Sequence, residues 1–149
     1  MYGIYPKESL MKNILLRPAL TLRTKITYLK SMPKGRGISY GRTYVTRKPT
    51  KIATIPVGYG DGYSRHFSNK AQVLINGRRC PIVGRVCMDM CMVDVGHLRN
   101  PKVGDDVILI GSQAKETIRA EELAGIINTI PYEVLCNIGH RVPRVYKHR

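Results

Sequence analysis

Hydrophobic and polar residues alternate with a period of two along most of this chain. In residues 20–28, apolar side chains fill most alternate positions, and threonine or basic side chains lie between them. This alternation predicts a strand with one buried face and one solvated face. Residues 33–35 predict a turn, and residues 38–45 predict a second strand, on which Tyr40 and Tyr44 share a face.

The rest of the chain continues this pattern of short strands and turns. Asn76-Gly77 lies between two alternating stretches, and this pair is the strongest short-range signal for a hairpin. Residues 58–62 include three glycines, which are typical of a turn or a close backbone contact. Only residues 120–128 show a helical period. Further strands are predicted over residues 51–57, 71–75, 78–83, 85–95 and 103–110.

This content of elements predicts a mainly β fold. Many short strands with little helix are typical of a β-barrel or a sandwich. A chain of 149 residues has the length of about one domain. We therefore expect one β-barrel domain with one short peripheral helix, preceded by a less regular lead-in.

The net charge of +15 is the most unusual bulk property of the chain. Positive charge attracts nucleic acids, acidic proteins and anionic substrates, and it does not choose among them. The basic residues are spread along the chain, and no zinc-finger or RNA-recognition signature is present. A solvated basic surface is the favoured interpretation, and nucleic-acid binding is not expected.

The four cysteines include no Cys-x-x-Cys pair, and three of them lie in apolar stretches. This favours reduced, buried thiols over a disulfide framework. No apolar run approaches the roughly 20 residues that span a bilayer, and the N-terminus has no basic-then-apolar signal pattern. We therefore expect a cytoplasmic protein with no membrane association.

Residues 84–95 are the segment richest in sulfur. If this segment is one strand, its two faces carry Cys87, Asp89 and Cys91 on one side and Met88, Met90 and Met92 on the other. Such donors suit copper or zinc, but ligands in a row along a strand do not enclose a tetrahedral ion. Core packing is the favoured interpretation, and no metal site is predicted.

Tyr40 is a candidate general base. A phenol has an unperturbed pKa of about 10, so it needs nearby cations or hydrogen bonds to lose its proton at neutral pH. A structural role is commoner for a tyrosine on a strand. Four arginines could bind a carboxylate or phosphate, and the residues alone do not rank them: Arg65, Arg85, Arg141 and Arg144.

Several motifs extend this picture, because they occur in the order in which one enzyme family carries them. Their residues are 1–3 (MYG), 39–44 (SYGRTY), 54–62 (TIPVGYGDG), 81–89 (PIVGRVCMD), 103–105 (VGD), 132–133 (YE) and 141–144 (RVPR). With these motifs the chain resembles the C-terminal β domain of alanine racemase. Enzymes of this family use pyridoxal 5'-phosphate to interconvert L- and D-alanine.

The resemblance implies roles for particular residues. Tyr40 matches the catalytic tyrosine, which exchanges the α-proton on one face of the substrate. Met88 matches the residue whose backbone N–H binds the substrate carboxylate. The positions that match the lining of the substrate corridor are Tyr59, Arg65, Arg85, Asp89 and Ile138.

The resemblance also implies what the sequence lacks. In the family, the lysine that carries the cofactor lies in an N-terminal TIM-type barrel, which this sequence does not include. We expect residues 1–17 to be a lead-in from that barrel and residues 18–149 to be the β domain. Such a fragment is expected to be inactive alone. A head-to-tail homodimer or a barrel-bearing partner subunit would complete its site.

One position departs from the family pattern. Many members carry a tyrosine that touches the cofactor phosphate just before the RVPR motif, whereas this chain has His140. A histidine can also donate to phosphate, and its charge changes near neutral pH. The preference for alanine over serine therefore stays open.

The function implied by the resemblance is an isomerase domain that serves D-alanine supply for peptidoglycan. Two other interpretations stay open. The chain could be a basic binding module, or it could be a non-functional remnant of a truncated racemase.

Overall fold

The structure is a computed structural model that describes residues 3–5 and 15–146. Most of the lead-in predicted for residues 1–17 lies outside the described residues, as do Met1 and Tyr2 of the first motif. Within the described part, ten strands and two α-helices are present. The strands are β1 (Leu22–Lys25), β2 (Tyr28–Met32), β3 (Gly37–Ile38), β4 (Tyr44–Val45), β5 (Thr50–Ile55), β6 (Gln72–Ile75), β7 (Arg78–Pro81), β8 (Cys91–Asp94), β9 (Asp106–Gln113) and β10 (Glu116–Ile118). The helices are α1 (Ala120–Ile127) and α2 (Pro131–Cys136).

The strands form antiparallel sheets. The first sheet has the order β1-β9-β6-β7, with β10 also paired to β9. The second has the order β2-β5-β8, and β3 pairs with β4 alone. The mainly β class is confirmed. The second helix, α2, was not predicted from the sequence; it begins with a proline at its first position, where the missing N–H costs nothing.

The single strand predicted for residues 20–28 is wrong, because the chain changes sheets within it. The Ile26 N–H donates to the carbonyl of Asp105, and the Thr27 N–H donates to the carbonyl of Thr54. β1 therefore pairs with β9, whereas β2 pairs with β5. Alternation is preserved across the break, so the sequence pattern contains no sign of it.

The hairpin predicted at Asn76-Gly77 is confirmed. β6 and β7 pair in register on either side of it, from Ile75 opposite Arg78 to Gln72 opposite Pro81. Asn76 and Gly77 both have positive φ, 51° and 72°, as the favoured two-residue hairpin turn requires.

The strand predicted for residues 38–45 is also wrong. A 3-10 turn over Tyr40–Arg42 separates β3 from β4. Ser39, Gly41 and Arg42 have φ values of 61°, 70° and 48°, which no extended strand contains. Tyr40 and Tyr44 therefore do not share a strand face.

The strand predicted for residues 85–95 is shorter than expected, because only β8 (Cys91–Asp94) is extended. Cys91 is buried, Cys87 is partly buried and Asp89 is exposed. The row of Cys87, Asp89 and Cys91 along one strand face does not exist. Instead, residues 84–90 lie outside the strand, and Gly84, Arg85 and Cys87 approach Ile38, Ser39 and Gly41.

The helix predicted for residues 120–128 is confirmed as α1. Its first turn carries Glu121 and Glu122, which suit the positive end of the helix, and Asn128 ends it with a left-handed conformation. Glu122 accepts two hydrogen bonds from the guanidinium of Arg79, at 2.6 and 3.0 Å, and Glu116 accepts a third at 3.0 Å. This arginine joins the hairpin, β10 and α1.

The main core lies between the first two sheets and α1. Its fully buried side chains include Phe67, Ile55, Leu74, Leu109 and Leu123. Cys80 and Cys91 are also buried, but Cys136 is exposed, so the expectation of buried thiols holds only in part. No helix in the described part of the chain is long and apolar enough to cross a membrane.

Candidate active site

Tyr40 lies on an exposed and sterically restricted turn, residues 39–43, which we call the Tyr40 turn. The Tyr40 side chain is 75% exposed. The preceding Ser39 has φ 61° and ψ −176°, a region that is almost restricted to glycine. The following Gly41 also has positive φ. The turn therefore presents the phenol to solvent from a backbone that has few alternatives.

Ser39 connects this turn to a distant segment of the chain. Its hydroxyl donates a hydrogen bond of 2.7 Å to the carbonyl of Arg85 and lies 3.5 Å from Cys87 Sγ. Gly84 packs against the same place, since a Cβ at Gly84 would lie 2.7 Å from the Ile38 carbonyl oxygen. Residues 84–87 and the Tyr40 turn thus form one packed unit.

The side chain of Arg85 lies against Gly41 in the Tyr40 turn. A Cβ placed on Gly41 would lie 3.3 Å from Arg85 Nε, which brings this guanidinium against the residue next to Tyr40. A cation at this position favours negative charge in its neighbourhood. It suits a site that receives an anionic ligand.

The base of the Tyr40 turn is held by Asp94 on β8. One carboxylate oxygen of Asp94 accepts from the Tyr44 hydroxyl at 3.3 Å, and the other accepts from Thr50 at 2.6 Å. Partial burial and the nearby Asp94 carboxylate raise the pKa of Tyr44. Tyr44 is therefore a neutral structural group that anchors β4.

Residues 58–62, which we call the glycine loop, form backbone hydrogen bonds with the segment that carries Met88. The Tyr59 N–H donates to the Cys87 carbonyl at 3.0 Å, and the Gly60 N–H donates to the Met88 carbonyl at 2.9 Å. A Cβ at Gly58 would lie 2.2 Å from the Cys87 oxygen, so the approach is possible only with glycine at position 58.

Residues 87–90 form what we call the Met88 turn. It is closed by a hydrogen bond of 2.9 Å from the Cys87 N–H to the Met90 carbonyl. The Met88 side chain is 51% exposed. The backbone N–H of Met88 donates to no acceptor among the described residues. An unpaired N–H of an exposed residue on a hydrogen-bonded turn is suited to donate to an anion.

Asp89 follows Met88 and binds an arginine from the C-terminal part of the chain. Arg141 Nη2 lies 2.6 Å from Asp89 Oδ1, and Arg141 Nε lies 3.4 Å from Asp61 Oδ1. The hydrogen bond with Asp89, followed by the charge of Asp61, raises the pKa of this guanidinium. Arg141 therefore joins the glycine loop to the Met88 turn.

The other matched positions surround these loops. Tyr59 and Arg65 line one depression of about 410 Å³ at the surface. Ile138 is buried and close to Gly62, where a Cβ would lie 2.8 Å from Ile138 Cα. His140 is exposed in the segment that follows.

The structure therefore groups the predicted residues through specific contacts. It joins Arg85 to the Tyr40 turn, Tyr59 to the Met88 turn, and Asp89 to the RVPR motif. The sequence reasoning missed the tether from Ser39 and the part played by Asp61. In the sequence, Asp61 lies among the glycines of residues 58–62, and these glycines predict a close backbone contact there.

The matched residues suit an anionic ligand but provide no covalent attachment for a cofactor. They offer a phenol, an unpaired N–H and guanidinium groups, and none of them is a lysine. Within the described residues, no group of three or more His, Cys, Asp or Glu side chains is arranged to hold a metal ion.

Comparisons with known proteins match nearly the whole chain. A family model described as the alanine racemase C-terminal domain matches residues 19–146. An alanine racemase of Halothermothrix orenii is 53% identical over 149 residues, which are 100% of this chain and 39% of that protein. The chain thus spans about two fifths of the length of the curated relatives it matches.

Solved structures agree. The alanine racemase from Bacillus anthracis with bound L-Ala-P has a TM-score of 0.93 and 42% identity, covering 99% of this chain and 38% of that one. The alanine racemase from Bartonella henselae with covalently bound pyridoxal phosphate has a TM-score of 0.88 and 34% identity, covering 98% of this chain and 39% of that one.

Proposed function

The chain belongs to the alanine racemase family, whose C-terminal domain it matches, and from this premise we propose that it supplies one half of a racemase site. In this proposal Tyr40 exchanges the α-proton of alanine on one face, and the Met88 N–H binds the substrate carboxylate. The other half of the site comes from a body that carries the cofactor and a base for the opposite face.

The observation that carries the proposal is the pairing of an exposed phenol with an unpaired N–H on two connected loops. Tyr40 is held by the strained backbone of Ser39, whose hydroxyl reaches the segment that leads to Met88. A site buried within the domain would hide both groups. Tyr40 and Met88 are instead exposed residues outside the sheets, where a second body would meet them.

The chemistry follows from the groups. Removing a proton from the α-carbon of an amino acid needs a base on one side, a fixed carboxylate, and stabilisation of the charge that develops. Tyr40 would hold or return the proton at its phenolic oxygen, and the Met88 N–H would orient the carboxylate. Arg85 would favour the carboxylate of the substrate through its positive charge.

Pyridoxal phosphate, on which the family depends, supplies an electron sink for charge at the α-carbon. In this proposal the described residues would line one side of this group. Tyr40 would face it, and His140 would donate to its phosphate. Covalent attachment would come from the second body, since none of the matched residues is a lysine.

The remaining parts of the proposal concern the assembly. The second body is a barrel of the family type, supplied by a separate subunit or by the partner in a family-type homodimer. Tyr59, Arg65, Asp89 and Ile138 would line the route by which alanine reaches the site. The product, D-alanine, would serve peptidoglycan synthesis in the cytoplasm.

The experiment is reconstitution. The chain is mixed with the separately produced barrel part of the Halothermothrix orenii racemase, with pyridoxal phosphate present, and D-alanine formed from L-alanine is measured. We expect no activity from the chain alone and activity from the mixture. Racemisation by the chain alone would show that no second body is needed. An inactive mixture, despite a complex in size-exclusion chromatography, would refute the proposal.

A further inference from the structure

Arg141 is placed between two carboxylates that belong to different loops. Its guanidinium lies 2.6 Å from Asp89 in the Met88 turn and 3.4 Å from Asp61 in the glycine loop. The side chain of Arg141 is 53% exposed. Exposed ion pairs contribute little to global stability. The main effect of these two ion pairs is therefore on the local geometry of the two loops.

Asp61 is a well-fixed partner for this arginine. Its side chain is only 14% exposed. Its second carboxylate oxygen accepts a hydrogen bond of 3.0 Å from the Gly58 N–H, which closes the glycine loop. Its carbonyl accepts another, also of 3.0 Å, from the Gly139 N–H. Asp61 thus holds both the loop and the segment that leads to Arg141.

The guanidinium also lies against the backbone that binds Met88. A Cβ at Gly60 would lie 2.6 Å from Arg141 Nη1 and 3.1 Å from the Met88 carbonyl oxygen. The Gly60 N–H is the donor that binds this same carbonyl. Arg141, Gly60 and the Met88 peptide group are therefore stacked against one another.

The turn that carries Arg141 is itself held in place. Arg144 donates to the carbonyls of Ile138 at 2.9 Å and Val142 at 2.7 Å, and also to Gly139 at 3.3 Å. These bonds fold residues 138–144 around one guanidinium. Arg141 therefore projects from a closed turn and not from a free tail.

We propose that Arg141 is a positioning residue, which holds the Met88 N–H in the orientation that receives the substrate carboxylate. The inference rests on the proposed function of Met88. Arg141 acts through Asp89, the neighbour of Met88, and through Gly60, which binds the Met88 carbonyl. Its own charge is already compensated by two carboxylates, so it is not the group that binds the substrate.

The test uses the chain itself, labelled with ¹⁵N, and compares Arg141→Gln with Arg141→Lys. Arg99→Gln is the matched control, because Arg99 is exposed and has no hydrogen bond or ion pair among the described residues. Two quantities are measured: the chemical shift of the Met88 amide, and the hydrogen-exchange rates of the Tyr59 and Gly60 amides.

In Arg141→Gln we expect the Met88 amide resonance to move and exchange at Tyr59 and Gly60 to become about threefold faster. Arg141→Lys keeps the charge and should restore part of both effects. Exchange in β8 should not change, which separates positioning from a general loss of stability. Arg99→Gln should behave as the unsubstituted chain.

A double-mutant cycle with Asp89→Asn tests the path from Arg141 to Met88. Asp89→Asn should add little to the effect of Arg141→Gln, because Arg141→Gln has already broken the contact between Arg141 and Asp89. Additive effects, or an unchanged Met88 resonance in Arg141→Gln, would overturn the inference. Since no catalysis is measured, the result is independent of the reconstitution experiment.

Discussion

The Ser39 hydroxyl donates a hydrogen bond of 2.7 Å to the carbonyl of Arg85, 46 residues away in the sequence. Ser39 has a backbone conformation that is almost restricted to glycine, which costs of order 1–3 kcal/mol. A glycine at position 39 would adopt this conformation without strain, but it has no hydroxyl to donate to Arg85. This hydrogen bond joins the turn that carries Tyr40 to the segment that leads to Met88.

Substitutions at Ser39 should separate strain from hydrogen bonding. Ser39→Ala keeps the strain and loses the bond, so we expect a loss of about 1 kcal/mol in the free energy of unfolding. Ser39→Gly also loses the bond but relieves the strain, and this relief exceeds the extra unfolded-state entropy of glycine, so it should be more stable than Ser39→Ala by about 1 kcal/mol. Urea denaturation measures both, with Ser31→Ala on exposed β2 as control. Equal stabilities of the two Ser39 variants would contradict this account.

Two glycine-to-alanine substitutions should have opposite effects. A Cβ at Gly58 would lie 2.2 Å from the Cys87 carbonyl oxygen, so Gly58→Ala forces two backbone segments apart. We expect a destabilisation of about 1–3 kcal/mol. Gly125 lies in α1 with no atom within 4 Å of its would-be Cβ, and Gly125→Ala should stabilise by about 0.5–1 kcal/mol. Thermal unfolding of the two variants checks the sign of each effect. If Gly58→Ala did not change the stability, the close packing of the glycine loop against the Met88 turn would be contradicted.

Arg79 should contribute to stability through its geometry as well as its charge. Its guanidinium binds Glu122 with two hydrogen bonds and Glu116 with one, and its side chain is 31% exposed. Arg79→Met should cost about 1–2 kcal/mol after allowance for solvent screening. Arg79→Lys keeps the charge but not the planar fork, so it should recover only part of this loss. Chemical denaturation gives the values. Full recovery with lysine would show that charge alone matters.

The buried thiols should make the fold sensitive to alkali. Burial raises the pKa of the Cys80 thiol to about 12 from its ordinary value of 9.0, and burial also raises the pKa of Cys91. The folded state therefore favours the protonated thiols. The stability that they contribute is fully present below about pH 9 and is lost as pH rises towards 12.

The measurement is the melting temperature against pH, with Cys80→Ala as the comparison. We expect a decline above about pH 9 in the unsubstituted chain and a shallower one in the variant. Alkylation at pH 8 gives an independent check, because exposed Cys136 should react long before Cys80 or Cys91. Equal labelling of all these thiols would contradict the burial described above.

Local signals in the sequence were sufficient for the elements that local chemistry determines. Asn76-Gly77 marked its hairpin because both residues tolerate positive φ, and residues 120–128 marked α1 by their helical period. The strands predicted over residues 38–45 and 85–95 alternate as true strands do, but the first is interrupted by a turn and only Cys91–Asp94 of the second is extended. Their interruption depends on contacts such as Ser39 to Arg85, between residues far apart in the chain. Alternation in sequence carries no information about such contacts.

In the candidate site too, features that depend on contacts between distant residues could not be predicted from local sequence signals. Tyr40 and Met88 were identified by resemblance to a family, since a tyrosine or a methionine in an alternating segment has no chemical signal of its own. From the sequence, Arg141 is one of four arginines that could bind a carboxylate or phosphate, and nothing distinguishes it from the other three. Its two partners, Asp61 and Asp89, lie 80 and 52 positions away, and only the fold brings them together.

The most direct test of the central claim, that Tyr40 exchanges the α-proton on one face of alanine, is a deuterium-exchange measurement in ²H₂O. The reconstituted complex is assembled with Tyr40→Phe, or with Tyr28→Phe as an exposed tyrosine control. With Tyr40→Phe, deuterium should enter the α-position from one enantiomer only, and racemisation should cease. With Tyr28→Phe, both enantiomers should exchange as in the unsubstituted complex. Exchange from both enantiomers in Tyr40→Phe at the unsubstituted rate would contradict the claim.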